Sequence, residues 1–124
     1  MKILVIDDFP TMRKIIRSLL GELGYTDIDE AADGLEGLKA MRSASYDLVV
    51  SDWNMPTLNG VEMVQQMRKM PDLKDIPVLM VTAEAKREQI IYAAQSGVNG
   101  YIVKPFTGAT LKEKIDKIMI RTAG

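Results

Sequence analysis

The chain has 124 residues, of which 47% are hydrophobic and 27% charged, the size and balance of one globular domain. Its 16 basic and 17 acidic side chains leave a formal net charge of −1, so no global charge draws it to nucleic acid or to an anionic membrane. It has no cysteine and no histidine. That excludes disulfides, thiolate nucleophiles, a histidine general base and every Cys or His metal ligand, leaving only a hard cation held by oxygen.

In chain order, Ile3–Ile6 is a continuous apolar run and predicts a strand buried on both faces. It is far too short for a signal-peptide core or a membrane span, and a cytoplasmic protein is expected. Met12, Ile15, Ile16, Leu19, Leu20 and Leu23 recur at helical spacing, and Gly24 stops that helix. Asp27 to Ala32 predicts a weaker strand whose acids suit a sheet edge. Asp33 and Glu36 predict a capping box ahead of a helix carrying Leu35, Leu38 and Met41. Leu48–Val50 predicts a third strand. Asn59 and Glu62 predict a second capping box, before Val61, Val64, Met67 and Met70. Val78–Val81 predicts a fourth strand, and Ile90, Ile91 and Ala94 a helix that Gly97 ends. Tyr101–Val103 predicts the last strand. Thr107 is the N-cap of a last helix bearing Leu111, Ile115, Ile118 and Met119. The nine methionines read as core gap-fillers.

This alternation gives five βα units in one domain, residues 1–124. The fold class is α/β, a doubly wound parallel five-stranded sheet with helices on both faces and right-handed crossovers. With the fifth helix so near the end, no effector domain is expected.

Chemistry follows the apolar runs. Ile3–Ile6 ends in Asp7 and Asp8, Leu48–Val50 leads through Ser51 to Asp52, Val78–Val81 ends in Thr82, and Tyr101–Val103 ends in Lys104. In a parallel sheet the C-terminal strand ends share one edge, where open α/β folds bind ligands. Three carboxylates, a hydroxyl and an ammonium are thus expected together. Any one Asp there reads equally well as a helix cap, but the five together do not. Clustered carboxylates repel one another, and a hard cation such as Mg²⁺ relieves that repulsion.

Asp7-Asp8, Asp52, Thr82-Ala83 and Lys104-Pro105-Phe106 resemble the receiver domain of bacterial two-component response regulators, over the whole chain. The segments Asp8-Phe9-Pro10-Thr11-Met12-Arg13 and Asp52-Trp53-Asn54-Met55-Pro56 resemble the chemotaxis branch of that family. Pro10 departs from the Ser common there and suits the first turn of a helix. The resemblance implies a flavodoxin-like strand order 2-1-3-4-5. It implies that Asp52 accepts a phosphoryl group from a sensor histidine kinase, with Mg²⁺ held by Asp7, Asp8, Asp52 and the Asn54 backbone carbonyl. Lys104, before a cis proline, and Thr82 would then hold phosphoryl oxygens, and Asn54 and Glu84 would tune hydrolysis. Trp53 would report metal and phosphate optically. Tyr101 would be the switch aromatic, turning inward as Thr82 moves toward the phosphate. Ala85, Arg87, Ile90, Tyr101, Lys114 and Lys117 match positions of the partner surface. With Lys112, the last two suggest a basic patch, although lysines on a helix are ordinarily a solvated face. The implied partner is a flagellar motor switch protein, and the implied state a monomer. Whether a phosphatase also acts on the chain stays open.

Other readings are a phosphorelay receiver, a receiver fragment of a larger regulator, a Mg²⁺-dependent aspartyl-phosphate hydrolase and a flavodoxin-like cofactor binder. The hydrolase class uses an Asp-x-Asp arrangement, which the adjacent Asp7-Asp8 does not match. A flavodoxin-like phosphate loop needs Ser, Thr or Gly after strand one, where this chain is acidic.

Overall fold

In the computed structural model, which describes residues 1–123, strands and helices alternate along the chain. They are β1 (Lys2–Ile6), α1 (Pro10–Glu22), β2 (Asp27–Ala31), α2 (Gly34–Ser43), β3 (Leu48–Asp52), α3 (Gly60–Met67), β4 (Val78–Thr82), α4 (Arg87–Gln95), β5 (Gly100–Val103) and α5 (Gly108–Ala123). The sheet is all parallel in the order β2-β1-β3-β4-β5, as expected. The acidic segment β2 takes one edge, with only Ile28 and Ala31 buried.

Alternation along the strands divides the core into two layers. Ile3 and Val5 face Ile16 and Leu20 of α1 and Leu111 and Ile115 of α5. Leu4 and Ile6 face Leu38 and Met41 of α2, Val64 and Met67 of α3, and Ala93 of α4. Each fully buried aliphatic side chain contributes about 2 kcal/mol against leaving it in water. Met41, Met55, Met63, Met67 and Met80 are buried, in keeping with the reading of methionines as core fillers, whereas Met12, Met70 and Met119 are half-buried and Met1 is exposed.

The helices depart from the predicted faces by single positions. Ile15 is 47% exposed because α1 centres its stripe on Ile16 and Leu20, about 100° away around the helix. Leu35 is exposed because α2 turns Gly34, Gly37, Leu38 and Met41 inward. On α4 the buried residue is Ala93, while Ile91 and Ala94 lie outside. The Asn59–Glu62 capping box forms in both directions. At α2 only one half forms, with the Glu36 amide donating to Asp33. Thr107 accepts from the Thr110 amide at the start of α5.

Candidate functional site

Parallel register sets the C-terminal ends of β1 and β3 side by side, with Ile6 opposite Ser51. Asp7 follows β1 and Asp52 closes β3. Asp7 is wholly buried, Asp52 nearly so and Asp8 half-buried. Each of the three offers a carboxylate oxygen, all within 4.8 Å of one another. Gly60 keeps Asp52 in place: its amide donates to the Trp53 carbonyl at 2.8 Å, and a Cβ there would overlap the Asp52 carbonyl oxygen.

Lys104, from the end of β5, places Nζ 3.3 Å from Asp52 Oδ1 and 3.8 Å from Asp7 Oδ2. The Lys104–Pro105 bond is cis, as the resemblance implied. The Trp53 amide also donates to Asp52 Oδ1, at 2.9 Å. The Phe9 amide donates to Asp7 Oδ1 at the same distance. Asp7 Oδ2 and Asp8 Oδ1 are buried and accept no hydrogen bond among the described residues. Buried polar atoms are ordinarily paired, so two orphans in one cluster mark a place for a ligand.

Burial is the main reason that the Asp7 and Asp52 carboxyls both sit above the ordinary carboxylate range. For Asp7 the Asp52 charge adds to the rise, against the Phe9 hydrogen bond and Lys104. For Asp52 the Lys104 ammonium opposes burial, and Asp8 adds to it. One ammonium faces three acids, so the pocket lacks positive charge. A hard divalent cation supplies that charge and takes oxygen donors, so the donor set fits Mg²⁺.

Thr82 is buried at the end of β4, but its hydroxyl donates to the Glu84 carbonyl at 2.8 Å rather than to the acids. It lines a cleft of about 240 Å³ with Trp53, Asn54, Ala83, Glu84 and Gln89. Asn54 is exposed on that rim. The structure therefore unites Asp7, Asp8, Asp52 and Lys104, and sets Thr82 and Asn54 beside them.

Tyr101 is half-buried on β5 with the Lys114 ammonium 4.9 Å from its ring centre. Ile90 is half-buried, and Ala85, Arg87 and Lys117 are exposed. The predicted basic patch is largely neutralised. Lys112 pairs with Asp116 at 2.6 Å and Lys117 with Glu113 at 3.2 Å, each one helical turn away. Lys114 is the lysine of the three left over the aromatic ring.

The sequence reading missed Arg13. Its Nη1 donates to the Asp7 carbonyl at 2.6 Å, and its Nε to Glu30 of β2 at 3.1 Å. A cation in the first turns of a helix opposes the helix dipole, which is the one local signal that it has another task.

A five-stranded parallel sheet in the order β2-β1-β3-β4-β5, with an acid pocket and a lysine at its C-terminal edge, defines a doubly wound α/β domain with a cation-binding donor set at its strand ends. The family described as "Response regulator receiver domain" matches residues 3–116. Chemotaxis protein CheY-3 of Vibrio cholerae is 59% identical over 121 residues, 98% of this chain and 93% of that one. Chemotaxis protein CheY of Pseudomonas aeruginosa is 56% identical over all of both chains. The receiver domain of a sensor histidine kinase from Pseudomonas aeruginosa, solved with a magnesium ion coordinated in its active site cleft, superposes with a TM-score of 0.84 at 26% identity. That match covers 99% of this chain and 98% of the other. The chain belongs to the response regulator receiver family, among the CheY-type chemotaxis regulators.

Proposed function

We propose that the chain is a phospho-switch of chemotaxis in which Asp52 accepts a phosphoryl group from a sensor histidine kinase. The observation that carries this reading is the largely buried three-carboxylate cluster beside Lys104, two of whose buried oxygens accept no hydrogen bond among the described residues. In the transfer an Asp52 carboxylate oxygen attacks phosphorus in line. The P–N bond to the donor imidazole breaks, and the electron pair leaves with that nitrogen.

Asp7, Asp8, Asp52 and the Asn54 backbone carbonyl would hold Mg²⁺, the ion type found in the histidine kinase receiver's cleft. When bound it would offset the negative charge shared by nucleophile and phosphoryl oxygens. Lys104 presents a movable ammonium to one phosphoryl oxygen. The Thr82 hydroxyl leaves the Glu84 carbonyl to donate to another. Asn54 and Glu84, on the cleft rim, govern access of hydrolytic water. Catalysis is thus confined to the chain's own phosphorylation and slow dephosphorylation, and its output is binding. As Thr82 shifts, Tyr101 turns inward and re-forms the surface of Ala85, Arg87, Ile90, Tyr101, Lys114 and Lys117 for a flagellar motor switch protein. The protein acts as a cytoplasmic monomer, and a phosphatase partner would shorten the signal.

Asp52→Asn is expected to abolish labelling by acetyl phosphate with Mg²⁺, read by mass spectrometry of the intact protein. Labelling at the parent's level would place the acceptor elsewhere.

A further inference from the structure

We infer that Arg13 is a positioning residue for the acid pocket, acting on the Asp7–Asp8 turn through the Asp7 main chain. The inference rests on the metal site proposed above. The Asp7 carboxylate splits its duties: Oδ1 accepts from the Phe9 amide, while Oδ2 lies in the cluster, 3.8 Å from the Lys104 ammonium and accepting no hydrogen bond among the described residues. That placement depends on the backbone at Asp7. On one side it is held by the Asp7 amide donating to the Ala31 carbonyl of β2 at 3.2 Å. On the other side it is held by Arg13, whose Nη1 meets the Asp7 carbonyl.

Arg13 is itself fixed. Its side chain is 17% exposed, and Nε is bound by Glu30, whose other oxygen takes Arg17 Nη1 at 2.9 Å. The guanidinium fork therefore joins α1, β2 and the loop after β1 at one point. A lysine offers the same charge but no rigid fork able to bridge a carbonyl and a carboxylate in this geometry. Groups that orient metal ligands without touching the metal typically alter affinity by about 10- to 100-fold.

Charge and positioning predict opposite signs. Arg13 is a cation beside a cation site, so if charge were its only role, deleting it would tighten Mg²⁺ binding. If it holds the turn, deleting it loosens binding. The test is a Mg²⁺ titration of Trp53 fluorescence in the parent, Arg13→Ala, Arg13→Lys and Arg17→Ala. Unfolding midpoints and amide exchange at Phe9 are measured on the same metal-free proteins.

Arg13→Ala and Arg13→Lys are each expected to raise the Mg²⁺ Kd about 10-fold. Both are expected to speed Phe9 exchange in the absence of metal. Arg17→Ala, which loses a Glu30 ion pair without touching Asp7, should leave both readouts within about twofold of the parent. An unchanged or lower Kd in Arg13→Ala overturns the inference. So does an Arg17→Ala effect equal to that of Arg13→Ala, which would mean general loosening of α1 on β2. If the parent itself binds no Mg²⁺, the metal-site reading fails. Phe9 exchange then decides the Arg13 role alone: unchanged exchange in Arg13→Ala overturns it, and faster exchange supports it.

Discussion

The two edges of the sheet treat their polar groups in opposite ways. At the N-terminal edge Arg68, which follows α3, is half-buried, and all five of its N–H donors are used. They reach the carbonyls of Lys74, Ile76 and Gly97 and the side chain of Asn99, tying the approaches to β4 and β5 to α3. Nearby, Tyr46 is buried with its hydroxyl donating to Asp29, and burial pushes that hydroxyl up to about 12. At the C-terminal edge, by contrast, two buried carboxylate oxygens accept nothing among the described residues. A satisfied polar network stabilises a structure. An unsatisfied one stores repulsion that a ligand can relieve. The first edge is built for stability and the second for binding, within one fold.

The largest effect that would break this division lies at Arg68. Arg68→Ala removes at least one hydrogen bond from each of four acceptors, of which, among the described residues, only Asn99 keeps another, from the Val78 amide. About 3 kcal/mol of stability should go, read from urea unfolding. Mg²⁺ affinity should stay within about twofold, because no Arg68 partner belongs to the acid pocket. A loss below about 1 kcal/mol would mean that water replaces the guanidinium without penalty and that this edge is less closed than its contacts indicate.

The second expectation has the opposite sign. Asp7→Asn removes a buried charge from a repelling cluster, so the metal-free protein should gain about 1 kcal/mol. The same variant should lose Mg²⁺ affinity by about 100-fold, read by Trp53 fluorescence. The gain should also depend on pH. Because the Asp7 carboxyl is raised in the folded state, its ionised form opposes folding at neutral pH. That cost is relieved as pH falls through the raised value toward the ordinary one. Parent and variant should therefore converge in unfolding midpoint as the pH is lowered from neutral. A gap that widens on acidification would show that Asp7 is stabilised, rather than strained, by its surroundings.

How much of this was legible in sequence differs residue by residue. The strands β1, β3 and β4 were plain because a strand covered on both faces needs an unbroken apolar run, as in Ile3–Ile6. Asp7, Asp8, Asp52 and Lys104 were plain because strand polarity alone brings strand ends together. The helix faces were blurred, since two adjacent apolar residues such as Ile15 and Ile16 fit the same period and only packing separates them. The lysine pairings on α5 have i, i+4 spacing and were open to reading, yet the basic count overshadowed them. Arg68 left no such trace. Its acceptors are mostly backbone carbonyls, and the farthest lie 29 and 31 residues away in the chain. Arg13 left only its place in the first turns of α1 as a signal, because its contact to the pocket is with a main-chain carbonyl, which has no side-chain identity to notice.

The smallest effect tests whether a satisfied pair survives at the binding edge. Glu30 accepts from both Arg13 and Arg17, and the hydrogen bond from Arg17 is the main reason that its carboxyl lies below the ordinary range. A carboxyl lowered on folding stabilises above its unfolded value, and that stabilisation is lost as pH falls through the lowered one. The direction is the reverse of Asp7. Glu30→Gln should thus cost about 0.5 kcal/mol near neutral pH, the scale of a partly exposed ion pair. The cost should vanish in acid, where the glutamate is protonated and pairs no better than the amide. High salt should shrink it too, which is not expected for the Asp7→Asn gain, since Asp7 is sealed from solvent. If the two variants respond to pH in the same sense, Glu30 belongs to the strained cluster rather than to the clamp that holds it.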